Sequence, residues 1–233
     1  MREKLLNLTI EERIKYLIEF VNEKRIKIGV SYPIKIIAVT KNFDETYILR
    51  AINSGINDIG ENRVQEAREK FSKLKGIKFE KHLIGHLQTN KVNKAIEIFD
   101  VIQSIDSIEL ARKINVRLSH LNKSMPVMIE VNTSFEPTKF GVRPDETIDL
   151  AGQILELKYL DLAGLMTVGP LTDDKKRIRE AFKLLYNTGE KLKKTSGKTF
   201  LHLSMGMSDD FEIAIEEGST MIRLGRIIFG DRN

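Results

Sequence analysis

The sequence predicts an α/β protein, a closed (β/α)8 barrel with one extra helix on its N-terminal side. Eight short apolar runs recur along the 233 residues, and segments of helical periodicity separate them. No Gly-rich dinucleotide fingerprint follows the first run. Runs without polar alternation read as strands buried on both faces, hence parallel. Eight such units favour closure over an open sheet, and a flavodoxin-like open sheet is the alternative.

The extra helix comes first. Thr9 and Glu12 form a capping-box pair, and Ile10, Ile14, Leu17, Ile18 and Val21 share one helical face. The apolar runs are Ile34–Val39, Asp58–Gly60, His82–Gly85, Val101–Ile105, Val127–Asn132, Leu162–Val168, Leu201–Gly206 and Met221–Gly225, the second being the weakest. Between the first and second, Ile48, Leu49 and Ile52 precede Gly55, a stop signal. After the second, Val64, Ala67, Phe71 and Leu74 precede Gly76. Ser107 caps a helix carrying Ile108, Ala111, Ile114 and Leu118. Pro144 stands near the start of a helix with Ile148, Ala151 and Ile154, and Ile178, Ala181, Phe182 and Leu185 line the next. So many units leave little chain for a second domain, and residues 1–233 read as one domain, expected as a monomer.

Composition narrows the function. Hydrophobic residues make up 41% and charged residues 30%, as in globular proteins. The absence of cysteine excludes disulfides, thiolate catalysis and Cys-ligated metals, and fits a cytoplasmic location. The net charge of +5 comes from lysines scattered among acids, which reads as a solvated surface rather than a nucleic-acid face. The segment starting at Met1 is too short and too charged for a signal peptide, and no apolar stretch is long enough to span a membrane. His82, His86 and His202 show no metal-ligand pattern. Glu61 and Glu130 stand at strand ends without an evident second acid, which weakens a glycosidase reading.

In such barrels the chemistry sits at the strands' C-terminal ends. Lys41 follows the run Ile36-Ile-Ala-Val39 and Thr40, where partial desolvation would favour the free amine that Schiff-base chemistry needs; the alternative is a solvated loop lysine. The stretch Ser204-Met-Gly-Met-Ser-Asp-Asp210 runs from a strand into a helix. Together with Gly225 and Arg226 it suits a phosphate, though Ser208 or Asp209 can equally be a helix cap. Arg223 lies inside an apolar strand, and either an acid or a ligand satisfies it.

Several of these stretches together resemble the pyridoxal-phosphate homeostasis proteins. They are Ala38-Val-Thr-Lys41, Gly60-Glu-Asn-Arg-Val-Gln-Glu66, His82-Leu-Ile-Gly-His-Leu-Gln-Thr-Asn-Lys91, Leu203-Ser-Met-Gly-Met-Ser-Asp-Asp210 and Gly218-Ser-Thr-Met-Ile-Arg-Leu-Gly-Arg-Ile-Ile-Phe-Gly230. The resemblance covers about residues 10–230 and implies a fold-type-III barrel related to the N-terminal domain of alanine racemase. It implies that pyridoxal 5′-phosphate is held by a Schiff base on Lys41. Ser204, Gly225 and Arg226 would hold the phosphate, Arg223 would face the pyridine nitrogen, Asn62 would lie near the cofactor, and Met205 and Gly206 would shape its surroundings. Thr40 is within the family's range. His86 stands where many members have proline. Arg226 stands where many have threonine, so its guanidinium either replaces a hydroxyl or points away.

The implied role is intracellular pyridoxal 5′-phosphate homeostasis without robust catalysis, with pyridoxal-phosphate-dependent apoenzymes as recipients. Two arguments favour a holder over an enzyme. The related racemases take a second acid–base group from a C-terminal domain, whereas this sequence stops at Asn233. A permanently charged Arg223 also disfavours a protonated pyridine nitrogen, leaving a poor electron sink. The alternatives are a weak racemase or decarboxylase and a cofactor-free Schiff-base aldolase.

Overall fold

A computed structural model describes Leu5 and residues 7–230. Met1 and Asn233, on which the leader and second-domain arguments touch, lie outside the described residues. The chain forms a closed barrel of eight parallel strands in sequential order. The expected (β/α)8 architecture is therefore present.

The extra helix α1 (Ile10–Lys27) starts at the expected box: the Glu12 N–H donates to Thr9 Oγ1, and Glu12 Oε2 accepts from the Thr9 N–H. It buries Ile10, Ile14, Leu17 and Val21. The units then follow as β1 (Lys35–Val39), α2 (Glu45–Asn53), β2 (Asp58–Glu61), α3 (Val64–Ser72) and β3 (Glu80–Leu83). A 3-10 turn (Thr89–Lys91), α4 (Val92–Ile98), β4 (Val101–Ile105), α5 (Ile108–His120) and β5 (Met125–Glu130) come next. The rest comprises α6 (Thr147–Leu155), β6 (Leu160–Met166), α7 (Lys175–Ser196), β7 (His202–Ser204), α8 (Phe211–Glu216), β8 (Met221–Leu224) and α9 (Arg226–Phe229). Among the described residues no helix is long and apolar enough to cross a membrane.

Hydrophobic runs locate strands but do not end them. β3 begins two residues before the run at His82, and β7 stops at Ser204 rather than Gly206. Ladder hydrogen bonds to both neighbours set those limits, and they depend on barrel register. Pro144 lies three residues ahead of the helix expected there, which starts at Thr147.

Two layers of core result. Outward-facing strand residues pack under the helices, as Leu83, Ile102, Ile129, Leu165 and Leu203 do on one side. Inside the barrel, Ile37, Met128, Met166 and Met221 meet from strands on opposite walls. Below them, at the strands' N-terminal ends, Lys35 Nζ bonds Asp58 Oδ1 at 3.0 Å and Glu80 Oε2 at 2.6 Å. Buried His82 reaches the same Asp58 oxygen at 3.1 Å. The histidine pattern gave no hint of this cluster, because Asp58 and Lys35 come from other strands, β2 and β1. The Lys35 ammonium already sits among its oxygens.

Candidate functional site

At the opposite end of the barrel a cavity of about 330 Å³ opens among the strands' C-terminal ends. Its apolar walls are Val39, Ile84, Val168 and Met207, and its polar walls are Lys41, Asn62, Ser208, Arg223 and Arg226, with Gly225 between the last two. Every polar side chain here carries a hydrogen-bond donor: an amine, an amide, a hydroxyl and two guanidiniums. No carboxylate lines it among the described residues.

Each polar group is placed by the barrel. Lys41 follows β1 in a tight turn closed by the Phe43 N–H donating to the Thr40 carbonyl at 3.0 Å. Asn42 sits in that turn at φ 66°, a left-handed conformation that asparagine tolerates. Gly60 opens the wall beside it, since a Cβ there would lie 2.8 Å from Ile37 Cγ2 and 3.1 Å from Ile84 Cδ1.

Arg223 projects inward from β8 and is almost wholly buried. Its Nη1 donates to Ser204 O and to Ser204 Oγ, both at 2.7 Å, and its Nη2 donates to Thr167 O at 2.7 Å. Burial lowers its pKa to about 10, against the pull of Asp210 and Glu130, so the guanidinium is charged at neutral pH. The choice left open by its position, acid or ligand, resolves into backbone and hydroxyl acceptors below and the cavity above. Glu130, at the end of β5, is its buried electrostatic counterpart. Burial drives the Glu130 pKa up to about 7, and its Oε2 has no hydrogen-bond partner.

Five of the eight residues picked from sequence reach the cavity: Lys41, Asn62, Arg223, Gly225 and Arg226. Ser204, Met205 and Gly206 do not line it. The Ser204 hydroxyl is fully buried and fully used, donating to Gln103 Oε1 at 2.7 Å while accepting from Arg223. It underpins Arg223 from beneath. Met205 packs in the outer core. Gly206 turns the chain at φ 93°, and its carbonyl accepts from the Arg223 N–H at 2.9 Å. The hydroxyl at the cavity wall belongs to Ser208. The sequence offered Ser208 as a helix cap, yet its Oγ accepts from the Ile227 N–H at 3.2 Å and so ties the seventh loop to α9. The N-cap of α8 is Asp210, whose carboxylate turns back to the Met207 N–H. The spacing from the strand end was the available signal: four residues past Ser204, the chain has already left β7 for the loop at the mouth. The Arg226 guanidinium pairs with Asp209 at the rim and is about half exposed.

Comparison with known proteins decides the family. The alanine racemase N-terminal domain family model matches residues 22–233. A pyridoxal phosphate homeostasis protein of Aquifex aeolicus is 39% identical over 85% of this chain and 87% of its own length. The chain belongs to the pyridoxal phosphate homeostasis protein family. Among solved structures, Synechococcus elongatus PipY with PLP bound is 32% identical, with a TM-score of 0.78 over 90% of this chain and all of that one. The alanine racemase of Clostridium difficile has a TM-score of 0.74 at 20% identity, a likeness of fold alone, and this chain covers 56% of it. The family's resemblance to racemases thus resides in the barrel.

Proposed function

We propose that this protein binds pyridoxal 5′-phosphate at the mouth of the barrel and serves its intracellular homeostasis as a holder rather than as a robust catalyst. The observation that carries the reading is the all-donor lining around Lys41 and Arg223. The cofactor presents mainly acceptors: a phosphate, a phenolic oxygen and a pyridine nitrogen. The cavity is also of the size that small ligands occupy. Relatives named for pyridoxal phosphate homeostasis, and PipY with PLP bound, support the same cofactor.

When bound, the cofactor supplies an electrophilic aldehyde and a conjugated ring. Lys41 is assigned to the aldehyde and Asn62 to the ring's edge. Ser208 and the backbone N–H groups of Gly225 and Arg226 are assigned to the phosphate. Arg223 is assigned to the ring nitrogen, and Ser204 orients Arg223 from beneath. A guanidinium still charged at neutral pH keeps a proton off that nitrogen, so the site holds the ring without making it a strong electron sink. We extend the reading to residues 1–233 as one monomeric, cytoplasmic domain, with pyridoxal-phosphate-dependent apoenzymes as recipients.

The test is an absorbance spectrum of the purified protein before and after borohydride, followed by peptide mapping. The expected result is a visible band that disappears on reduction, with the label on Lys41, and no band in a folded Lys41→Ala variant. A label elsewhere would overturn the assignment. A colourless protein that refuses added cofactor would favour a cofactor-free Schiff-base aldolase, and release of an amino acid's α-proton or carboxylate would favour weak catalysis.

A further inference from the structure

Behind the turn that carries Lys41 lies a buried polar cluster whose residues do not line the cavity. Lys70, from α3, is 8% exposed in its side chain, and Glu61, the last residue of β2, is fully buried. Lys70 Nζ donates at 2.7 Å to three oxygens: the Thr40 carbonyl, Glu61 Oε1 and Glu66 Oε1. Thr40 Oγ1 donates to the same Glu61 oxygen at 2.6 Å. Glu66 Oε1 in turn accepts from the Asn42 N–H at 2.5 Å.

Both chain neighbours of Lys41 are thereby clamped. Thr40 is held by its carbonyl and its hydroxyl, and Asn42 by its amide. The Thr40 carbonyl is also the acceptor that closes the turn, and Asn42 is its left-handed residue. A buried ion pair returns little net stability, because desolvating two charges offsets their attraction. Here Glu61 Oε2 lacks any partner as well, which adds to the cost. What the cluster accomplishes is geometric. Two elements beyond β1, the end of β2 and the inner face of α3, fix the direction in which residue 41 leaves the barrel.

We propose that Glu61, Glu66 and Lys70 are positioning residues for Lys41, presetting the turn so that its amine meets the cofactor's aldehyde without loop rearrangement. This rests on Lys41 being the cofactor lysine. The general basis is that preorganised groups bind more tightly because less ordering is required on binding.

The experiment compares Lys70→Met, Lys70→Arg and Glu66→Ala in the full chain, by amide hydrogen exchange across residues 40–43 without cofactor and by absorbance titration with pyridoxal 5′-phosphate. Lys70→Met should keep its circular dichroism spectrum, lose exchange protection at Asn42 and Phe43, and bind the cofactor about tenfold more weakly, the equivalent of about one lost charge-assisted hydrogen bond. Lys70→Arg keeps the cation and should recover much of both. If Lys70→Met does not fold, Glu66→Ala carries the test, since Glu66 is partly exposed and its loss frees the Asn42 amide directly. Unchanged exchange and unchanged affinity in the folded variants would overturn the proposal. Failure of the underlying reading looks different: Lys41→Ala would then keep the visible band, while exchange in the Lys70 variants still reports on the clamp.

Discussion

Arg223 and Glu130 show how single residues acquire their character from the barrel interior. Both point inward near the mouth, and burial works against both charges. Arg223 withstands it, with three acceptors at 2.7 Å. Glu130 does not, and its carboxyl titrates near pH 7. A carboxyl whose folded pKa exceeds its unfolded value holds its proton more tightly in the folded state, so stability is lost as pH rises from about 4.5 to 7. Glu130→Gln has no proton to lose. Relative to wild type, it should gain up to about 3 kcal/mol on going from pH 5 to pH 8, read from urea midpoints at the two pH values. A constant difference between the two proteins would show that Glu130 does not titrate in this window. Lys41 and Arg223 were visible in sequence because a cation after or within an apolar run is out of place. Ser208 was hidden behind Ser204, because both are small hydroxyls and only the end of β7 separates the strand residue from the loop residue.

Among the elements, the seventh loop shows how little room the site leaves. Gly206 stands at φ 93°, and a Cβ there would lie 2.5 Å from Ala214 Cβ and 3.0 Å from Phe211 Cα. Both neighbours belong to α8, so an added methyl would push that helix off the strand. Gly206→Ala should cost about 2 kcal/mol or more from left-handed backbone and overlap together, lowering Tm by roughly 4–8 °C. Calorimetry showing no change would mean that the loop relaxes freely. The helices themselves were legible because their signals are local. The Thr9–Glu12 box and the Ser107 cap sit where the sequence placed them. Strand ends were less so, since β3 and β7 end where neighbours stop pairing.

Across the whole molecule, a hydrogen-bonded chain runs up the barrel interior from floor to mouth. Asp58 contacts His82, the Gln103 amide contacts His82 Nδ1 at 3.1 Å, and Gln103 Oε1 accepts from Ser204, which accepts from Arg223. Five strands contribute, and His82, Gln103 and Ser204 are fully buried. Gln103→Leu fills the space but strands a ring nitrogen and a hydroxyl, each costing about 1–3 kcal/mol. Denaturant unfolding should show a loss of roughly 3 kcal/mol, with weaker cofactor binding as Arg223 loses its lower support; wild-type values for both would break the chain as described. Nothing in the sequence announced Gln103, which reads as one polar residue in an apolar run. By itself, the sequence determined the alternation of strand and helix, the closed barrel, the family and the cations at the strand ends. These follow from periodicity, caps and motifs that act within a few residues. Only the tertiary structure decided which hydroxyl reaches the cavity, what holds Arg223, and what clamps the turn around Lys41. Those depend on pairings between residues distant in the chain, brought together when the barrel closes.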